Sequence, residues 1–558
     1  MDQSIRANPL TLLLAPLAVL LVTGVLSGLL TRWNGSVAWL ACVVGAWLAF
    51  WLQVFVWPGS RGIDQVDFGS VGAGIDLVLR LDALGAWFAT ILLLGGAILL
   101  SDQARNPVEA WPACLALMSG LLAIESGGLL VSAIGLGTAA TVLLALMERD
   151  PAPVPSSFRL VLPAASILIV WAGVLAQTDS ATDRWAALPP TLIASAFGLV
   201  PLVAGLLLTG FLPGLSWSSH LETGSRRSVA LLGVAVMIPV GFYYLSRFHG
   251  SATGGLPAGW LEGGESAVGL VALGIAAMRA QAAKTPAQYF GDLVGALSGL
   301  ALLGLGSGST LGLVATMTTI PAIVLVLALV PLLPAGRPRL LAFTAALAVG
   351  APPSLVFTAW LLTIQNGIEL GGPLALVAVA AGLGWLILAF AGARAAHLKG
   401  GQADEGSRAA RIAIGGGLVG GSLLVGWPQS AILVPMLAAS ASGGEFRASY
   451  AGFASASGAF PALSIGIVIL LLGGLLMVIG RGSDRGHSPA PLAAPLAIPP
   501  LISIPGRLVA SSLLGRFPRL ALGELGLPRP TGAEAVMARG SIWFWIVLFG
   551  VLAYVTRR

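Results

Sequence analysis

Stretches of about twenty apolar residues, separated by short polar loops, recur from one end of this chain to the other. This pattern constrains the fold more than any single motif does. A run of ~20 apolar residues is the length of a helix that crosses a bilayer, whereas a barrel strand needs only ~10. The runs fall near 9–30, 36–57, 83–100, 110–125, 128–147, 158–177, 190–213 and 228–246. They continue near 264–282, 289–306, 309–333, 340–364, 372–395, 411–437, 460–480 and 541–556, which makes sixteen spans. Charged residues are 9% of the 558 and the mean hydropathy is +0.93, against ~25% charged in a soluble domain. The chain is therefore expected to be an all-α polytopic membrane protein. The 74 glycines fit close approach of membrane helices.

Residues 190–247 stand at the centre of the reading. Two spans flank a polar loop holding Arg226 and Arg227. Pro213 closes the first span, Trp217 follows it, and Pro239 interrupts the second. Broken helices inside a membrane often line a transport path, yet neither span carries a charge in its interior.

The net charge of +6 is a matter of topology, not of nucleic-acid binding. Up to the fourteenth span, loops after odd-numbered spans hold fourteen basic residues, from Arg32 to Arg411. Loops after even-numbered spans hold five, Arg61, Arg80, Arg184, Arg247 and Arg447. Basic loops stay cytoplasmic, so the N-terminus is expected outside a bacterial inner membrane. Arg557 and Arg558 at the other end run against that count. Cys42 and Cys114 lie in apolar spans and read as core residues. The histidines at 220, 249, 397 and 487 read as scattered loop residues. Neither HExxH nor paired CxxC is present, nor a GxxxxGK[ST] phosphate loop, so no metal or nucleotide cofactor is expected.

Two loops are long. Residues 58–82 contain alternating stretches such as IDLVLRLD and read as an external β-hairpin. Residues 481–540 open Pro-rich and continue with Arg507, Arg516 and Arg519 among leucines. That pattern suits an amphipathic helix on the lipid surface. The expected organisation is helices one to three with the hairpin (1–107), a central core (108–400), spans fourteen and fifteen (401–480), then the loop, surface helix and last span (481–558).

The order of these pieces resembles the antiporter-like membrane subunits of respiratory complex I, of Mrp-type antiporters and of membrane-bound hydrogenases. The resemblance rests on GIDLVLRLDALGAWFATILLL before the third span and LMSGLLAIESGGLLVSAIGLG across the fourth and fifth. FRLVLPAASILIVWAGVLAQ opens the sixth, AGLLLTGFLPGLSW matches the seventh, and VALLGVAVMIPVGFYYLSRF matches the eighth. ALAVGAPPSLVFTAWLLTIQNG looks like the family's late broken helix, and the match covers roughly 60–395. The sixteen spans look most like the long L-type subunit. The resemblance implies about fourteen core helices in an antiporter-like fold with inverted repeats, for which spans four to eight and nine to thirteen are the candidates. It also implies a C-terminal extension with a surface helix and a final span. It further implies a membrane-arm subunit of a proton-translocating, NADH–quinone-oxidoreductase-like complex, not catalytic by itself, whose partners are sibling membrane subunits and lipids.

The family's chemistry is a line of buried ionisable groups: a glutamate in the fifth span, a lysine in the seventh, and lysines in the eighth and in the late broken helix. Carried over, these fall on Gly137, on Leu208 or Thr209, on Ile238 or Pro239, and on Trp360. The chain has only two lysines, Lys284 and Lys399, both in loops. The remaining polar candidates are Glu125 in the turn between spans four and five, Asp292 as a helix cap, and Arg159 snorkelling at the mouth of span six. The expectation is thus a degenerate subunit without its own proton channel. Two other readings stay open: an independent transporter or flippase of a neutral or lipid-like substrate, and a polytopic membrane enzyme. The second rests on Asp64, Asp67, Asp76 and Asp82 in the external loop.

Overall fold

The computed structural model describes residues 9–56, 64–70, 76–102, 110–148, 156–193, 195–209, 227–251, 259–329, 338–352 and 354–395, and three short strands between 447 and 460. Spans fourteen to sixteen, the Pro-rich loop, the surface helix, Pro213 and Trp217 lie outside the described residues, as do the histidines other than His249.

Helices α1 (Pro9–Leu30) and α2 (Gly35–Val56) lead into an antiparallel hairpin, β1 (Asp64–Ser70) and β2 (Asp76–Leu81). Helices α3 (Ala83–Asp102), α4 (Ala110–Glu125), α5 (Leu129–Glu148) and α6 (Ser156–Ser180) follow. Next come α7 (Pro190–Ile193), α8 (Leu199–Thr209), α9 (Arg227–Ser251), α10 (Gly259–Ala282) and α11 (Pro286–Leu305). The bundle closes with α12 (Thr310–Leu329), α13 (Pro338–Val349), α14 (Leu355–Leu370) and α15 (Ala375–Ala395). Among the described residues, nine helices are long and apolar enough to cross a membrane, so the protein is a multi-pass membrane protein. Strands β3 (Arg447–Ala448), β4 (Phe453–Ser455) and β5 (Gly458–Phe460) form a small antiparallel meander.

Helices α11 and α12 are buried nearly throughout, while α1, α2 and α15 turn leucines, valines and aromatics outward, for example Leu29, Phe55 and Phe390. That outward face suits lipid, so packing inside the bundle has to come from close contact rather than from water exclusion. Glycine supplies it between α10 and α11. A Cβ on Gly299 would sit 2.6 Å from the Leu273 N and 2.8 Å from the Gly269 carbonyl oxygen, and one on Gly269 would meet Gly299 in turn. Two backbones touch there with no room for a side chain. Gly299→Val is expected to force the helices apart and cost about 1–3 kcal/mol, read as a lower melting temperature in detergent.

Proline does not break α9. The helix runs from Arg227 through Pro239 to Ser251, correcting the expected interruption. The residue carries no N–H, and a membrane helix tolerates such a proline where its surroundings satisfy the freed carbonyl. The seventh span breaks earlier, at a 3-10 turn over Ala196–Gly198. Ser195 folds its hydroxyl back onto the Leu192 carbonyl, and a Cβ on Gly198 would lie 2.2 Å from the Ile193 carbonyl oxygen. The late helix breaks between Val349 and Leu355, as the resemblance implies. Gly350 takes φ +113 there, a conformation that excludes a side chain.

The hairpin caps one face of the bundle. Gly127, in the elbow between α4 and α5, donates its N–H to the Val78 carbonyl at 2.7 Å. A Cβ on Gly127 would strike Val78 Cγ1 at 2.7 Å. The turn expected at the membrane interface is thereby covered by β2.

Candidate functional site

The frame of the candidate channel is α5, α8, α9 and the α13–α14 break. Leu208 is fully buried and packs on α9, where a Cβ on Gly241 would meet Leu208 Cβ at 2.8 Å. Thr209 is buried and returns its hydroxyl proton to the Leu206 carbonyl at 2.9 Å. Ile238 and Pro239 lie buried inside α9, and Gly137 inside α5. The Gly137 carbonyl accepts from Thr141 Oγ1 at 2.8 Å.

Trp360 is fully buried in α14. Its Nε1–H donates to the Val349 carbonyl at 2.9 Å, one of the carbonyls orphaned where α13 ends. The ring lies parallel to Trp385 of α15, with centroids 6.3 Å apart. Ser354 caps α14, its side chain accepting from the Phe357 N–H at 3.2 Å. The position is thus filled by an aromatic side chain whose one donor is engaged in closing the break.

Two expectations about polar residues are corrected, those for Asp292 and His249. Glu125, at its turn, is completely buried within the protein, and neither carboxylate oxygen has a hydrogen-bond partner among the described residues. The reason is the hairpin that covers its turn. Asp292 caps nothing. Thr285 is the cap of α11, accepting from the Gln288 N–H at 3.2 Å, while Asp292 lies inside the helix, 2% exposed, with Arg279 Nε 3.1 Å from Oδ1. His249 is no loop residue: α9 outlasts its apolar run and holds it in the last turn, buried, 2.6 Å from Glu265. The interior therefore contains ionisable groups that hydropathy alone does not reveal. Arg159 falls in the first turn of α6, and its side chain is outside the described residues. Lys284 is exposed between α10 and α11, and Lys399 is outside the described residues.

Three of the four carboxylates of the hairpin loop, Asp67, Asp76 and Asp82, are engaged in ion pairs, and the Asp64 side chain is outside the described residues. Arg184 bonds Asp76 through Nε at 2.8 Å and Asp67 through an Nη at 2.7 Å. The Gly69 N–H, with Arg184 beside it, holds the Asp67 carboxyl below its usual range. Asp183 accepts from the Leu130 N–H at 3.0 Å, at the start of α5, and burial pushes its carboxyl up. Asp82 receives both Nη groups of Arg247, and Arg247 Nε donates to the Tyr243 hydroxyl at 3.0 Å. Burial alone would raise the Asp82 carboxyl, but Arg247, the Gly85 N–H and Arg80 together bring it down to about 2. Asp67, Asp76 and Asp82 are thus all paired with arginines. Cys42 and Cys114 are buried free thiols on α2 and α4. Among the described residues no three His, Cys, Asp or Glu side chains gather as a metal site would need.

The described residues thus form a helical bundle with two broken helices and a β-hairpin over one face. No protein-family model matches the chain, and no curated protein does. Solved structures do match. A chain of the Mrp complex from Dietzia sp. DQ12-45-1b aligns with TM-score 0.70 and 18% identity, over 97% of this chain and 62% of that one. A chain of the membrane-bound sulfane sulfur reductase, an archaeal respiratory membrane complex, aligns with TM-score 0.67 and 16% identity, over 98% of this chain and 100% of that one. A chain of respiratory complex I from Thermus thermophilus aligns with TM-score 0.56 and 17% identity, over 74% and 98%. The protein has the antiporter-like membrane-subunit fold, and it spans about 62% of the length of the Mrp chain.

Proposed function

We propose that the chain is a membrane-arm subunit of a complex I-like, ion-translocating assembly, and that it serves as a structural member without a proton channel of its own. The observation that carries this reading is Trp360: the late break is closed by an indole bonded to Val349, with no titratable group in its place. Leu208, Thr209, Ile238, Pro239 and Gly137 support it, since none can hold a proton. Glu125 is buried without a hydrogen-bond partner to hand a proton to, and Asp292 is bound to Arg279. An isolated acid is not a relay. The three matched chains come from multi-subunit membrane complexes, which favours sibling membrane subunits as partners, with lipid on the outward faces. In this reading 1–107 and 108–400 form the embedded body, 401–480 adds spans fourteen and fifteen, and 481–558 braces a neighbour with its surface helix. The N-terminus faces the outside of a bacterial inner membrane.

Purification from the native membrane tests the assembly: co-purifying membrane subunits are expected, and recovery of the chain alone as a monomer overturns it. Within the purified assembly, Glu125→Gln with Asp292→Asn is expected to leave ion transport unchanged. A fall of about tenfold, the scale of a lost proton-transfer group, with the assembly still intact, would overturn the structural role.

A further inference from the structure

The ends of α9 and α10 bring together two ionisable side chains that neither the fold nor the channel frame requires. His249 sits in the last turn of α9 and Glu265 in the second turn of α10, with Nε2 and Oε2 2.6 Å apart. Both are buried, Glu265 to 1% exposure. The termini favour the charged form of the pair, because a helix C-terminus stabilises a cation and an N-terminus an anion. Glu262, half-buried in the first turn of α10, adds a second carboxylate on the same side. Its carboxylate lies against Gly308, where a Cβ would come within 2.7 Å of Oε1.

We propose that His249 and Glu265 form a proton-binding site on the hairpin face of the bundle, a buried dyad that takes up one proton from the aqueous rim and gives it back. Histidine is the side chain suited to this at neutral pH, and burial beside a carboxylate couples its protonation to the packing of α9 on α10. Glu262, more exposed than the dyad, is the group that passes the proton to water. Inward, Ser266 keeps a buried hydroxyl with no hydrogen-bond partner. It lies under Gly306, where a Cβ would meet its Oγ at 2.7 Å. Beyond it, Ser307 and Ser309 are 3.1 Å apart through their hydroxyls, and Ser309 donates to Asn366 of α14. The Ser307–Ser309–Asn366 bonds thus reach α14, the helix that carries Trp360.

Among the described residues, the titratable groups facing the imidazole are Glu265 and Glu262. Arg247, on the same helix, is turned to Asp82 and Tyr243. In the loop beside Trp185, Asp183 is bound to the Leu130 N–H and Arg184 to Asp67 and Asp76.

The site goes beyond the structural role and does not depend on which assembly the chain joins. Its test is histidine 15N NMR of the full chain in lipid nanodiscs, titrated between about pH 5 and 9. The chain has four histidines, and loss of one signal in His249→Gln assigns the dyad. The His249 signal is expected to titrate as a single proton, with Glu265→Gln lowering its midpoint by roughly 1–3 units. Glu262→Gln is expected to shift it less, in the same direction. A wild-type signal that stays unchanged across the range overturns the proposal, without need of a Glu265 variant. So does a midpoint that Glu265→Gln leaves in place. Neither result bears on the absence of a channel, which is read from ion transport.

Discussion

Trp360→Ala is expected to destabilise the protein by about 3–5 kcal/mol, the range for emptying a fully buried large aromatic site. Two losses combine. The cavity opens between α14 and α15, where Trp385 loses its parallel partner. The Val349 carbonyl at the end of α13 loses its donor, and a buried orphan carbonyl adds about 1–3 kcal/mol of its own. Trp360→Phe separates the two, since it keeps most of the volume and removes only the donor, so a cost near the second figure alone is expected. Trp360→Lys, the residue type the resemblance implies there, should be at least as damaging as alanine. It leaves part of the cavity and brings an ammonium into a site with no acid placed to receive it. Unfolding of the detergent-solubilised chain, followed by tryptophan fluorescence or thermal shift, gives the three values. A lysine variant as stable as the wild type would mean that the break had kept room for a proton carrier.

Hydropathy made the helices legible, because a span must be apolar wherever it meets lipid. The run at 9–30 coincides with α1, and those at 83–100 and 128–147 lie within two residues of α3 and α5. The alternation in IDLVLRLD likewise announced the β1–β2 pairing. What the pattern could not carry was contact between distant segments. Glu125 borders a turn and so reads as interfacial, but β2 covers that turn through Gly127 and Val78, which lie far apart in the chain. Asp292 stands near the start of an apolar run and so reads as a cap. Its partner Arg279 is on the preceding helix, and the cap is Thr285. His249 lies beyond the apolar run and so reads as a loop residue, yet α9 continues to Ser251 and the partner of His249, Glu265, is on the next helix. In each case an ionisable residue was assigned to the surface by default. Its partner, or the cover over it, lies elsewhere in the chain. The break in the seventh span carries no proline signal: prolines mark 213 and 239, whereas the turn is made by Ser195 and Gly198.

Asp82→Ala is expected to cost about 3 kcal/mol, near the lower end for removing one partner of a buried pair, since the site lies at the rim. The reason is what remains behind. The Arg247 guanidinium lies 5.0 Å from the centre of the Tyr243 ring, within the protein, and would lose the carboxylate that receives both of its Nη groups. The pair also ties the hairpin to α9, because Asp82 follows directly on β2. Replacing both partners with apolar residues, Asp82→Leu with Arg247→Met, should recover part of the loss, as no buried guanidinium is left without its carboxylate, while the Gly85 N–H and Arg80 still lose Asp82. The same pair gives a pH signature whose sign follows from the Asp82 carboxyl, held at about 2 in the fold against ~3.9 in an unfolded chain. A depressed carboxyl contributes stability that is fully present above ~4 and lost as pH falls towards 2, a contribution of about 2.5 kcal/mol. Asp82→Asn removes that contribution. The stability gap between wild type and Asp82→Asn should therefore be constant from about pH 8 to 5 and close below about 4. A gap that persists unchanged under acid would show that Arg247 does not depend on the charge of Asp82, and that the hairpin is held by its backbone contacts alone.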